Sequence, residues 1–333
     1  MTHTAAPPTA PRFAAAWKRR LLDGGPLVAL VALILIFAVG NPAFLSPGNM
    51  GILLSQLAIP LVIATGLTFV ILLGGIDLSI EGVMATSSLV FVLTAANDRN
   101  DISLGVGAVV LGILAGTAMG TANGVLNVRF GIPSFMVTLG MGAIGIGIAT
   151  VLFGGRSPRL LDPALKSIGT GNTFGIANIF LIAVIVLAIG YLIQRFTKIG
   201  RYGYVIGGDE GIAKLSGVKV SRYKIAAFAI GGTTAGIAGV LVGAQLGVGS
   251  PTISQGFLFT SITAVVLGGT LLTGGRGGVI RSLVGVAIII VLGNGLILMG
   301  VDSYVQIAVQ GLVIIAAVIA TGWRLRTRVR VIK

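Results

Sequence analysis

The chain has 333 residues, 55% hydrophobic and only 10% charged, against about 25% charged in soluble domains, which excludes a water-soluble globular fold. The net charge of +14 does not point to nucleic acid: the basic residues lie in short loops and tails between apolar runs and form no basic face interleaved with aromatics. Cysteine is absent and the one histidine is His3, which excludes disulfides, thiolate metal sites and a histidine relay in the membrane.

Runs of about 20 apolar residues recur along the chain, the length at which a helix crosses a bilayer, and the alternating segments of a β-barrel are absent. The predicted architecture is an all-α polytopic membrane protein of about ten transmembrane helices. Residues 1–24 read as a disordered cytoplasmic tail. Lys18, Arg19 and Arg20 precede an apolar run as in a signal peptide, but no small-residue cleavage site follows and the run ends at Asn41-Pro42, so a retained first span is expected. That span covers 27–39 and begins nearer Leu21. The others are 52–73, 79–96, 103–125, 133–153, 176–194, 224–246, 258–272, 279–299 and 303–321, divided by turn chemistry such as Gly74-Gly75, Asn97-Asp98, Gly131-Ile132-Pro133, Gly154-Gly155 and Gly274-Gly275. Residues 25–322 form the transmembrane domain and 323–333 a basic cytoplasmic tail.

Basic loops stay on the cytoplasmic side. With ten spans and a cytoplasmic N-terminus, 19 of the 23 Lys and Arg residues fall inside and 4 outside, so both termini are expected in the cytoplasm. Residues 195–224, the longest charged interruption, hold seven of those cations and two of the nine acids. This loop is long enough to fold into a short helix that a soluble partner could grip.

Glycines recur at spacing four, at Gly112, Gly116, Gly120 and Gly124 and again at Gly239, Gly243 and Gly247. Such a groove lets another backbone approach closely, either inside the bundle or across a dimer. Asp77 and Glu81 follow a glycine pair and lie four apart. They suit capping of the third helix, or a place where the chain re-enters the membrane and lines a pathway; the two roles are compatible. Asp98, Asp101 and Asp302 read as solvated loop charges, and Asp162 as part of a long outer loop, 154–175, that is either solvated or contacts an external partner. Buried polar residues without charge, Gln56, Ser88, Asn123, Asn294, Gln306 and Gln310, suit interhelical hydrogen bonding or a path for a polyhydroxylated solute. The tentative translocation set is Asp77, Ser79, Glu81, Asn123 and Asn294.

No catalytic constellation, metal cluster or Walker-type loop is present, so the chain is not expected to be an enzyme or to need a cofactor. Gly274-Gly275-Arg276-Gly277-Gly278 reads as a tight turn. Energy for uphill transport must come from an ATPase partner or an ion gradient; the alternatives are an ATP-driven importer subunit, an ion-coupled secondary transporter of a small polar solute, or a membrane scaffold or receptor. Scarce membrane carboxylates weaken proton coupling.

Five motifs in order, GGIDLSIEGVMA at 74–85, NGVLNVRFGIPSFMVTLGM at 123–141, GGRSPR at 154–159, IGGDEGIAKLSGV at 206–218 and ITAVVLGGTLLTGGRGGVIRSLVG at 262–285, resemble the ribose/xylose/galactoside (monosaccharide importer) family of bacterial ABC-transporter permeases, over about residues 30–321. The resemblance implies an ABC importer permease fold in the bacterial inner membrane, paired with a second permease subunit, identical or sister. It further implies a cytoplasmic sugar-transport ATPase, an extracytoplasmic solute-binding protein and a monosaccharide or related polyol as cargo. It also implies that Gly207, Gly208, Asp209, Glu210, Ala213, Leu215 and Gly217 belong to the coupling helix. The family often has Asn where Asp209 stands.

Overall fold

The computed structural model describes residues 24–302 and, beyond them, 304–309, 311–313 and 315. The expectations for the tails at 1–23 and 323–333, for a first span beginning nearer Leu21, for Gln310 and for the last part of the 303–321 span lie outside the described residues.

Helix α1, Gly25–Gly40, ends at Asn41, whose side chain accepts from the Ala43 N–H to start a 3-10 turn at Pro42–Leu45. The Ser46 side chain then caps α2, Pro47–Leu72, with proline at the first helical position. There follow α3 (Ile80–Thr94), α4 (Val106–Phe130), α5 (Ser134–Phe153), α6 (Pro163–Thr170), a two-residue hairpin pairing β1 (Asn172–Thr173) with β2 (Ile176–Ala177), α7 (Asn178–Phe196), α8 (Lys198–Gly208), α9 (Glu210–Leu215), α10 (Val220–Leu246), α11 (Phe257–Leu267) and α12 (Val279–Leu298).

Among the described residues six helices are long and apolar enough to cross a membrane, namely α2, α4, α5, α7, α10 and α12, and four shorter apolar ones are α1, α3, α11 and the stretch Tyr304–Val313. Each of the ten apolar runs in the sequence thus contains a helix. The most apolar windows of α2 and α10 are 78% and 67% buried, whereas that of α5 is 22% buried. The first two are therefore the interior helices. α4, α5 and α7 turn side chains such as Leu114, Leu139 and Ile185 outward, as a lipid-facing surface requires.

The glycine rows serve packing inside the chain. A Cβ added to Gly116 would lie 2.6 Å from the carbonyl oxygen of Gly232 and from Cα of Gly236. The α4 and α10 backbones are in direct contact there. Gly239 faces the other way, onto Met84 and Ser87 of α3. These faces are filled, which favours the packing reading over dimerisation through them.

Two expectations about outer charges need correction. Asp98 is not simply solvated: its carboxylate accepts from the Arg159 N–H at 2.8 Å and pairs with the Arg156 guanidinium. These two partners hold its carboxyl below the usual range. Asp162 caps α6, accepting from the N–H groups of Ala164 and Leu165. The 154–175 segment is folded, tied by bridges Asn97–Leu160 and Arg159–Val248 and anchored by buried Leu160 and Leu165.

Candidate functional site

Two of the four shorter apolar helices, α3 and α11, bear on the site. α3 has 15 residues and α11 has 11, lengths of about 22 Å and about 16 Å against a hydrocarbon core of about 30 Å. The α2 helix ends at Leu72, Gly74 turns the chain with φ +76, and residues 75–79 run without helical structure into α3. The start of α3 and the start of α11 meet: Glu81 Oε1 accepts from the Gly256 N–H at 2.8 Å and the Leu258 N–H at 3.4 Å. Ser254 Oγ donates to the Glu81 carbonyl at 2.7 Å. A carboxylate in the first turn of α3 thereby sits on the positive end of α11.

Non-helical backbone at this depth must be satisfied by protein. α5 does so with two hydroxyls one turn apart: Ser134 Oγ accepts from the Ile76 N–H at 3.0 Å and Thr138 Oγ1 from the Leu78 N–H at 2.9 Å. Ser134, Thr138 and Ser254 escaped the sequence reading; hydroxyls at i and i+4 facing a glycine-marked break were the signal.

Asp77, Ser79 and Asn123 are brought together. The Asp77 carboxylate accepts from the Ser79 N–H at 2.9 Å and the Ser79 hydroxyl at 2.6 Å, and Asn123 Nδ2 donates to the Ser79 hydroxyl oxygen at 2.9 Å. All three are buried, and Asn123 Oδ1 has no partner among the described residues. Asp77 does not cap α3 as expected; the N-cap is Ser79, with no side-chain cap bond. The extended run carries Asp77 ahead of the helix, where it closes an Asx turn instead. Asn294 lies apart. It exchanges amide hydrogen bonds with Asn49 at 3.0 and 2.9 Å, locking α12 onto α2.

The charged loop at 195–224 folds into two short helices. Thr197 caps α8, and Asp209 caps α9 by accepting from the Ile212 N–H at 3.0 Å. α9 stops in a Schellman turn: Gly217 has φ +75, its N–H reaches Lys214 O, and the Val218 N–H reaches Ala213 O. Glu210 binds Lys214 at 2.8 Å and Lys224 of α10 at 2.7 Å. Burial pushes its carboxyl up, but the lysine hydrogen bonds and charges outweigh that and hold it below the usual range. Ala213 is fully buried, whereas Ile212 and Leu215 are 60% and 90% exposed. An anchored helix therefore presents two apolar side chains outward on a polar loop.

The end of α8 is pressed into the bundle. A Cβ on Gly207 would overlap the Leu72 carbonyl oxygen and the Gly275 N–H, which are themselves hydrogen-bonded at 2.9 Å. A Cβ on Gly208 would meet nothing within 4 Å. Tyr204 OH donates to Gly277 O at 2.9 Å, and the Val279 N–H donates to Gln194 Oε1 at 3.0 Å. The α8–α9 unit thus touches both the end of α2, which leads into 75–79, and the turn that joins α11 to α12.

Residues 49–318 match the family model described as branched-chain amino acid transport system / permease component. The chain is 36% identical over 310 residues to the ribose import permease protein of Haemophilus influenzae, covering 92% of this chain and 94% of that one. It is 36% identical over 309 residues to the ribose import permease protein of Bacillus subtilis, covering 91% and 95%. It is 32% identical over 295 residues to the D-allose transport system permease protein of Escherichia coli, covering 88% and 90%. No solved structure matches the chain.

Proposed function

The chain belongs to the family described as branched-chain amino acid transport system / permease component, and on that premise we propose that it forms the translocation path of an ATP-binding-cassette importer for a monosaccharide or related polyol. It is a multi-pass membrane transport subunit and not an enzyme; ATP hydrolysis resides in a separate subunit. The curated relatives named for ribose, allose and arabinose support the sugar class. The partners are a cytoplasmic ATPase, an extracytoplasmic solute-binding protein and a second permease subunit, identical or sister. The ten apolar runs lie in the bacterial cell membrane, those of α3 and α11 as interrupted spans, with both termini in the cytoplasm, α8 and α9 on that side, and α6 with its hairpin outside. The 19 to 4 split of basic residues supports this orientation.

The coupling residues are Asp209, which starts α9; Glu210, which ties it to α10; Ala213, which seats it; and Leu215, which is exposed for the ATPase. Gly207 allows the close backbone contact beside them and Gly217 the left-handed turn after them, while Gly208 belongs to the segment by sequence position alone. The observation that carries this reading is the contact of Gly207 with Leu72 and Gly275. A push on α9 reaches both interrupted helices at once, through 72–79 toward α3 and through 268–278 toward α11. Asp77, Ser79 and Asn123 lie on the first route, with Glu81 where the two half-helices meet. The orphaned Asn123 Oδ1 is an acceptor suited to a sugar hydroxyl. Asn294 lies apart from this cluster, and its pairing with Asn49 supports a scaffolding part rather than a place in the path.

The test is Asp209→Lys with Glu210→Lys, or Ala213→Trp, in the complex with its ATPase and loaded binding protein. The expected result is loss of binding-protein-stimulated ATP hydrolysis with the permease still folded. Unchanged stimulation would remove the docking role from α9.

A further inference from the structure

Where the outward face of α7 ends, a cavity of about 380 Å³ is lined by Tyr191, Gln194, Arg195, Arg201 and Tyr204. Above it α7 exposes Ile185, Ile189 and Leu192, a surface for acyl chains. Below it the loop turns basic, with Lys198 between the two arginines. The setting is therefore the membrane–water boundary, where aromatic rings and basic side chains collect.

Its chemistry is one-sided. Neither Arg195 nor Arg201 forms an ion pair among the described residues, and no carboxylate lines the cavity. Arg281 of α12 is close enough to act electrostatically on the Tyr204 phenol. Gln194 supplies an independent sign. The residue is 8% exposed, its Oε1 is used by the Val279 N–H, and its Nε2 donor is buried without a partner among the described residues. A buried donor left unmade costs about 1–3 kcal/mol, and the residue that carries it lines the cavity.

We propose that this cavity is a binding site for a phosphate-bearing anion at the membrane boundary, held by Arg195 and Arg201 with the Gln194 amide as inner donor. Basic pockets between transmembrane helices take anionic headgroups in this way, and the guanidinium forks suit phosphate oxygens. The shared chemistry is a phosphate, carried by an anionic lipid or free in solution. Because α8 begins beside the site and carries Gly207 in its last turn, occupancy would stiffen the element that touches α2 and the α11–α12 turn. The inference needs only the membrane setting, not the coupling role of α9.

The experiment titrates the purified full-length chain in detergent with dihexanoyl-phosphatidylglycerol, dihexanoyl-phosphatidylcholine or inorganic phosphate, reading adducts by native mass spectrometry. Each basic residue near an anionic surface contributes a factor of about five, so Arg195→Gln with Arg201→Gln should weaken phosphatidylglycerol binding about 30-fold. Gln194→Glu keeps the acceptor for Val279 but sets a carboxylate in place of the donor, against the anion, and should also weaken binding. Phosphatidylglycerol bound one per chain, with phosphate inert, identifies a lipid as the source. Displacement of phosphatidylglycerol by phosphate, lost in the double variant, identifies a soluble phosphate. Equal binding of both lipids, or phosphatidylglycerol binding unchanged in both variants, overturns the site.

Discussion

Gly207→Ala and Gly208→Ala make the same chemical change at adjacent positions in the last turn of α8, and the structure assigns them opposite outcomes. At Gly208 the added methyl meets open space, and alanine in place of glycine favours helix by up to about 1 kcal/mol. At Gly207 the methyl meets backbone of α2 and of the 274–278 turn, which cannot rotate away as a side chain would. Overpacking costs about 1–3 kcal/mol, and separating Leu72 from Gly275 loses a hydrogen bond of about 1 kcal/mol. The net difference between the variants is about 2–4 kcal/mol. If that strain falls on the contact that carries motion, a 2 kcal/mol bias shifts its equilibrium about 30-fold. The assay is binding-protein-stimulated ATPase activity and sugar uptake in proteoliposomes, with thermal melts in parallel. Gly207→Ala should lose coupled uptake while Gly208→Ala matches the parent. Equal behaviour of the two refutes the junction argument.

The Asn49–Asn294 pair should behave as a unit. Asn294→Leu takes the donor from the buried Asn49 Oδ1, whose Nδ2 keeps the Phe44 carbonyl, and lowers stability by about 1–3 kcal/mol, while Asn49→Leu with Asn294→Leu should cost less than the sum of the singles by about 0.5–3 kcal/mol; additive melts in detergent would contradict the pairing. Glu210 carries the pH dependence of α9. Its carboxyl lies below the usual range, so its stabilisation is complete above the unfolded value of about 4.3 and is lost only as pH falls below it. Hydrogen exchange of the α9 amides, corrected for intrinsic rates, should stay flat from pH 8 to pH 5 and rise only at lower pH; loss of protection centred above pH 5 would contradict the ion-pair assignment.

What was legible in the sequence was what local chemistry decides. The α9 helix is written in Asp209-Glu210, Ala213 and Gly217, because caps, charge and a left-handed glycine act within a few residues. Hydropathy located the apolar runs but could not tell α3 and α11 from full spans. Residues 268–272 are apolar enough to extend a helix, yet φ +94 at Gly269 ends regular structure there. Likewise 75–79 is extended because Ser134 and Thr138, some sixty residues later, take its N–H groups. Asn123 and Asn294 are the same residue type in similar apolar runs. Only tertiary contact separates the one beside Ser79 from the one paired with Asn49. By contrast α6 was open to a closer reading, since Asp162-Pro163 is a cap followed by proline at the first helical position.

The most direct test of the account is uptake of labelled monosaccharide into vesicles holding the permease, its ATPase and its loaded binding protein, compared with the same vesicles carrying a scrambled 206–217 segment. The account predicts uptake that requires ATP and the ATPase subunit and vanishes in the scrambled chain while the bundle still folds. Accumulation by the permease alone under an ion gradient, or full uptake with the scrambled segment, would contradict it.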